Sequence, residues 1–160
     1  MARHTIVRNE KRENAKRRLG AYRKLVRLNK QNLQLIEEAE SRLFGVTAQV
    51  GEVRGSGAAK DAIADNLAAE EEHARDLRRD SDMYGEKMDD IKRLVERVFD
   101  VSQLAGDVLA MRYLVAGKPP EFSEIADELH YTEGAVKNAH LVGLDLVAEF
   151  IDDATTCDVL

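Results

Sequence analysis

The chain has 160 residues, of which 34% are charged and 5% aromatic, and its formal net charge is −6. No apolar run approaches the roughly 18 residues of a membrane-spanning helix, and the basic start lacks the apolar core of a secretory signal. These features exclude a membrane span and predict a cytoplasmic protein. Cys157 is the only cysteine, which excludes an internal disulfide and fits a reducing compartment.

Charge is distributed unevenly along the sequence. The first 30 residues hold eleven Lys and Arg side chains and only two acidic ones, whereas residues 102–153 hold three cationic and ten acidic side chains. Such asymmetry is typical of a tail that binds nucleic acid or another polyanion. A solubilising, partly frayed helix start is an equally simple interpretation of the basic segment.

A first long helix is predicted from about residue 10 to residue 43, because apolar residues recur at alternating steps of three and four. Its predicted contact face consists of Leu19, Tyr22, Val26, Asn29, Leu33, Ile36, Glu40 and Leu43. Asn29 is a candidate for fixing the register with a partner helix. Residues 45–58 contain four glycines and no sustained period, and they are predicted to form a loop.

A second long helix is predicted from about residue 60 to residue 99 by ten steps in the same register. Its predicted contact face consists of Ile63, Leu67, Glu70, Ala74, Leu77, Ser81, Tyr84, Met88, Ile91, Val95 and Val98. Two such helices joined by one loop are expected to fold back as an antiparallel hairpin. Because a two-helix hairpin has little interior, we also expect a homo-oligomer.

Three shorter helices are predicted after residue 102, over about 103–115, 122–129 and 133–151. Gly117 and the Pro119–Pro120 pair separate the first two, and Thr132 is placed to cap the last. A pair of helices joined by so short a turn predicts a helix-turn-helix, whose second helix can enter a DNA major groove. The alternative is an ordinary helical corner without a nucleic-acid role.

The expected fold class is therefore all-α, with a long antiparallel, coiled-coil-like hairpin followed by a helix-turn-helix module of three helices. We expect a basic N-terminal arm over residues 1–18, the hairpin over 19–99, the module over 102–153 and a tail over 154–160.

The C-terminal sequence resembles region 4 of bacterial sigma factors. The matching residues are Leu109, Arg112, Tyr113, Glu124, Ile125, Ala126, Leu129, Tyr131, Thr132 and Val136. From about Leu19 to Phe150 the chain is also similar to phage sigma-like regulators of the ArpU and RinA type. The resemblance implies a transcription regulator that controls phage late genes through double-stranded promoter DNA and host RNA polymerase.

Candidate DNA contacts fall in two segments. The residues expected to read bases are Thr132, Lys137, Asn138 and His140, because they lie near the start of the last helix. The residues expected to contact phosphates are Arg12, Lys16, Arg17, Arg18, Arg23 and Lys24. The module itself is acidic, and phosphate neutralisation dominates protein–DNA affinity. Either the basic arm supplies the phosphate contacts, or the module binds protein.

The sequence predicts neither an enzyme nor a cofactor or metal site. The four histidines have no companion cysteine and no metal-ligand spacing, and Glu70 with His73 forms only one of the two Glu-x-x-His motifs of a helical di-metal site. The segment 51–60 lacks the Gly-Lys-Ser/Thr ending of a phosphate-binding loop.

Two other functions are compatible with the sequence. One is an adaptor that contacts RNA polymerase without sequence-specific DNA binding, and the other is an oligomeric phage packaging or structural protein. Leu141, Val142 and Leu146 are expected to be covered by the hairpin or by a second subunit, since exposed apolar clusters mark interfaces.

Overall fold

Five helices make up the computed structural model, which describes residues 2–50 and 57–157, with side-chain environments for residues 6–45, 57 and 61–153. The helices are α1 (Ala2–Val50), α2 (Gly57–Val101), α3 (Gln103–Tyr113), α4 (Phe122–Leu129) and α5 (Glu133–Cys157). The described residues contain no strand, which confirms the all-α prediction for them. None of their helices combines the length and apolar character needed to cross a bilayer.

Several helices are longer than the sequence predicts. Within the predicted loop 45–58, residues 45–50 belong to α1 and residues 57–58 to α2, while residues 51–56 lie outside the described residues. Helix α5 continues to Cys157, so residues 154–157 of the predicted tail are helical, and residues 158–160 again lie outside the described part. A glycine lowers helix stability by about 1 kcal/mol without forbidding the conformation, which explains why Gly45 does not end α1.

The chain divides into two compact units. The first contains the residues up to Val26 together with those from Lys87 onward, and the second is Arg27–Glu86. The main core of the first unit draws on α1, α2, α3 and α5. Its buried members are Ala15, Leu19, Ile91, Val95, Val98, Ala105, Leu109, Tyr113, Leu144, Val147 and Ala148.

A second cluster in the first unit holds α4 against its neighbours. Ile125 and Ala126 of α4 are buried with Val108 of α3 and with Val136 and Ala139 of α5. Phe122 and Leu129 pack against this cluster and complete the apolar face of α4.

Helices α3 and α5 approach each other closely at Gly143. A β-carbon on Gly143 would lie 2.9 Å from Leu109 Cδ1, so a larger residue cannot be accommodated without movement. The absence of a side chain at residue 143 therefore leaves room for the Leu109 side chain between α3 and α5.

In the second unit, polar contacts join α1 to α2. Residue numbers rise along α1 as those of its partners on α2 fall, so the two helices are antiparallel within this unit. Ser81 Oγ donates a hydrogen bond of 2.7 Å to Asn29 Oδ1, and the buried Asn32 Nδ2 donates to the carbonyl of Leu77. Thus Asn29 and Ser81, two polar residues of the predicted contact faces, bind each other. A small apolar cluster of Ala39, Ala74 and Leu77 lies beside them, with Ile36 and Leu43 packed against it.

The contact face of α1 in this unit differs from the predicted one at two positions. Leu33 is 52% exposed, and Glu40 is exposed and binds Arg78. Asn32 and Ala39, one position earlier in each case, are the buried residues. On α2 every predicted face position is buried or half-buried, so the prediction for that helix is confirmed.

Candidate nucleic-acid interface

Three residues join α4 to α5 and determine where α5 begins. His130 adopts a left-handed conformation with φ 58° and ψ 40°, and it ends α4 by donating its backbone N–H to the carbonyls of Ala126 and Asp127. Thr132 Oγ1 then accepts from the backbone N–H of Ala135 at 3.3 Å. Thr132 therefore caps α5 as predicted, since a cap of this kind satisfies an orphan N–H of the first turn.

Arg112 holds the segment that leads into α4. Its Nη1 donates to the carbonyl of Pro120 at 2.8 Å, and its guanidinium carbon lies 4.1 Å from the centroid of the Phe122 ring. A cation over an aromatic face is attracted by the ring quadrupole. Arg112 thus connects α3 to the start of α4 and has a structural role here.

The outward face of α5 begins with uncharged residues. Asn138, Leu141, Val142 and Asp145 are spaced by three and four residues, so they share one side of the helix. Asn138 is exposed, and Leu141 and Val142 are 38% and 46% exposed. Leu146 is half-buried and packs against the main core of the first unit. We call Asn138, Leu141 and Val142 the outer face of α5.

The predicted base-reading residues have different environments. Thr132, Lys137 and Asn138 are exposed, and Lys137 Nζ lies 2.6 Å from Glu133 Oε1, one turn earlier in α5. The contact is a surface ion pair, which holds its partners weakly. Lys137 and Asn138 therefore remain accessible to a ligand.

His140 is buried, so the prediction that it reads bases is wrong. It is 6% exposed, its Nε2 lies 3.0 Å from the Tyr113 hydroxyl, and its ring stacks on Tyr113 and meets the edge of Phe122. Burial lowers the pKa of His140 from 6.5 to about 4, so the ring is neutral near pH 7. Its place on the inward side of α5 gives it a packing role.

Cationic residues near the start of α1 contact two carboxylates of α5, one in the middle of the helix and one toward its end. Asp145 accepts from Arg12 Nε at 2.6 Å and from Arg8 Nε at 3.2 Å, and Lys11 Nζ lies 2.6 Å from Asp152 Oδ2. The hydrogen bond from Arg12 is the main reason that the pKa of Asp145 lies low, at about 2. We call these contacts the arm–α5 ion pairs.

The predicted phosphate-binding residues divide into engaged and open groups. Arg12 binds Asp145, Lys16 lies 2.6 Å from Glu13, and Arg23 donates to the carbonyl of Arg112. Arg17, Arg18 and Lys24 are exposed and form no ion pair with any residue in the described part of the chain. The open cations of the set are therefore these last three.

Sequence reasoning did not single out Arg8, Lys11, Asp145 and Asp152 as an interacting group. Periodicity reports which side of a helix is apolar, and it carries no information about which charged side chains meet across more than 130 residues. The opposite charges of the first 30 residues and of residues 102–153 were the signal that could have suggested it.

Within the described residues, no group of three or more His, Cys, Asp or Glu side chains is arranged to hold a metal ion. Comparison of the chain with protein-family models, with curated proteins and with solved structures gives no match.

Proposed function

We propose that the chain is a DNA-binding transcription regulator of phage or prophage type, in which a long helical hairpin carries a helix-turn-helix formed by α4 and α5. The observation that carries the proposal is the capped start of α5 with an open outer face. A recognition helix reads bases through a few side chains near its N-terminal end. Thr132, Lys137 and Asn138 occupy those positions and are exposed.

Asn138 is the base-reading residue on which the proposal depends most. An Asn side chain can pair with adenine through two hydrogen bonds in the major groove. Leu141, one turn further along the outer face, is suited to contact a thymine methyl group. We therefore propose a half-site that contains an A·T pair opposite this face.

The phosphate contacts are assigned to the open cations of α1. Arg17, Arg18 and Lys24 are exposed and free of ion pairs among the described residues, whereas the module from 102 to 153 is acidic. Non-specific affinity for DNA comes from neutralised phosphates. In this proposal α1 supplies that affinity and α5 supplies the sequence preference.

The test begins with selection of duplexes by the wild-type protein from a random-sequence pool. Asn138→Ala should weaken binding to the selected duplex by about 1–3 kcal/mol and leave binding to an unselected duplex unchanged. Gln103→Ala, at an exposed and uncharged position of α3, is the control for surface substitution. Failure of the pool to converge on any sequence would contradict sequence-specific binding.

The phosphate contacts are tested by Arg17→Gln, Arg18→Gln and Lys24→Gln together. Each lost phosphate contact should lower the log–log salt slope by about 0.9 for both duplexes. Arg75→Gln, Lys87→Gln and Lys118→Gln together remove the same charge from exposed cations outside α1 that also form no ion pair in the described part of the chain, and they form the matched control. Equal loss from both triple variants would show that net charge, rather than these three residues, determines the affinity.

A second candidate function is an adaptor for host RNA polymerase. It is favoured by the acidic module and by the partly exposed Leu141 and Val142, because an apolar patch with an acidic surround suits a protein partner. Co-purification of polymerase after nuclease treatment, abolished by Val142→Glu and retained by Asn138→Ala, would favour the adaptor.

The proposed homo-oligomer is tested by sedimentation of the protein alone and in the presence of polymerase. A large closed ring would favour a packaging or structural role.

A further inference from the structure

The arm–α5 ion pairs differ from most other ion pairs in the described residues. Their partners are 133 to 141 residues apart in the chain, whereas the ion pairs of Lys16, Arg42, Arg79, Lys92, Arg93 and Lys137 join residues three or four apart on one helix. A contact between distant residues forms only when the first unit folds, and it ties the start of α1 to α5.

The central contact is also partly shielded from water. The side chains of Arg12 and Asp145 are 19% and 23% exposed, whereas both partners in the local pair of Lys16 and Glu13 are more than 40% exposed. Because water and salt screen partly buried charges less, this pair is stronger than a typical surface pair.

The carboxylates occupy cations that a polyanion would otherwise use. Arg8 and Arg12 both donate to Asp145, and an arginine fork binds carboxylate and phosphate with the same geometry. Asp145 lies on the same side of α5 as Asn138, three residues beyond Val142. The engaged cations therefore lie beside the outer face of α5.

We propose that Asp145 and Asp152 compete with DNA phosphates for Arg8, Lys11 and Arg12, so that the arm–α5 ion pairs restrain polyanion binding until phosphate displaces the carboxylates. This inference rests on the proposed function, since DNA is the polyanion concerned. It assigns to Asp145 and Asp152 of α5 a regulatory role toward the basic start of α1.

The experiment compares the wild type with a double variant that carries both Asp145→Asn and Asp152→Asn. Each released cation can neutralise one phosphate, so at 0.1 M salt the double variant should bind unselected duplex DNA about tenfold more tightly. It should also elute from immobilised heparin at higher salt. Heparin reports the availability of the cations to a polyanion whether or not the protein recognises DNA.

Two controls separate competition from a change in net charge. Asp89→Asn with Asp90→Asn removes two carboxylates that pair locally with Lys92 and Arg93, and it should raise affinity far less. In a background where Arg8, Lys11 and Arg12 are all glutamine, the Asp145 and Asp152 substitutions should give no gain on heparin. Circular dichroism of each variant verifies that it is folded.

The outcomes are distinguishable. Equal gains from the two double variants, or a gain that persists in the glutamine background, would overturn the competition. Weaker binding of the Asp145 and Asp152 variant to heparin would overturn it too, because the carboxylates would then position the cations instead of occupying them. A heparin gain without DNA binding by any variant would support the competition and contradict the proposed function.

Discussion

The ring of His140 is buried against Tyr113 and Phe122, on the side of α5 that faces the core. The residue lies two positions beyond the exposed Asn138, and on a helix this places it on the opposite side, against Tyr113 and Phe122. The Tyr113 hydroxyl satisfies its Nε2. A histidine in this position stabilises the fold only while it is neutral.

The acid stability of the protein should therefore depend on His140. Its pKa is 6.5 when unfolded and about 4 when folded, so the unfolded state binds more protons between these values. The free energy of unfolding should fall as the pH decreases from about 6.5 to about 4, by up to about 3 kcal/mol. Denaturant titrations across this range measure the loss. His140→Gln, which can still bind the Tyr113 hydroxyl, should abolish most of it, and an unchanged slope in that variant would contradict the assignment.

Gly143 provides a second prediction, on packing. Gly143→Ala places a β-carbon 2.9 Å from Leu109 Cδ1 and should destabilise the fold by about 1–3 kcal/mol. Gly134, in the first turn of the same helix, has open space around its β-carbon position, and alanine is the better helix former. Gly134→Ala should therefore be neutral or stabilising. Thermal unfolding compares the two, and equal effects would show that α3 and α5 are not held at this distance.

At the scale of helices, periodicity predicted much of what the structure shows. The face of α2 and the bounds of α4 were predicted correctly from the spacing of apolar residues and from the turn residues around α4. The face of α1 was predicted correctly at Leu19 and missed at Leu33. Up to Val26, α1 contributes to a core shared with α2, α3 and α5, whereas in Arg27–Glu86 only α2 is its partner, so different sides are buried. A single repeat cannot describe both environments. The joint arrangement of hairpin and helix-turn-helix stays a prediction.

The corrected α1 face can be tested by two leucines. Leu77→Ala removes a side chain that is 8% exposed and should cost about 2–5 kcal/mol. Leu33→Ala removes one that is 52% exposed and should change stability by less than about 0.5 kcal/mol. Chemical denaturation measures both. A large loss from Leu33→Ala would indicate that another subunit covers this position in solution.

At the scale of the whole molecule, the candidate site was only partly predictable. The Thr132 cap and the exposure of Lys137 and Asn138 follow from local sequence, because a turn and one amphipathic helix determine them. The arm–α5 ion pairs depend on the tertiary fold, which brings together residues more than 130 positions apart.

The ion pair of Asp145 predicts a second stage of acid sensitivity. Its folded pKa of about 2 lies below the ordinary value of 3.8, so its contribution is complete above about pH 4 and is lost as the pH falls toward 2. Asp145→Asn should remove the part of the stability loss between pH 4 and 2 and leave the His140 stage above pH 4 unchanged. Acid titrations followed by circular dichroism measure both stages. If Asp145→Asn loses as much stability between pH 4 and 2 as the wild type, the prediction is contradicted.

The first unit combines the two ends of the chain, and this has a consequence for the order in which the parts of the protein fold. Leu19 is buried with Leu144 and Val147, so the core of the first unit is completed only after the ribosome has synthesised most of the chain. Arg27–Glu86 is continuous in sequence and can form its contacts earlier. Because closing long-range contacts is slow, we expect folding to begin in the middle of the chain and to finish at its two ends. Until α5 emerges, Arg8, Lys11 and Arg12 lack the carboxylate partners that this helix supplies, and they are open to any polyanion.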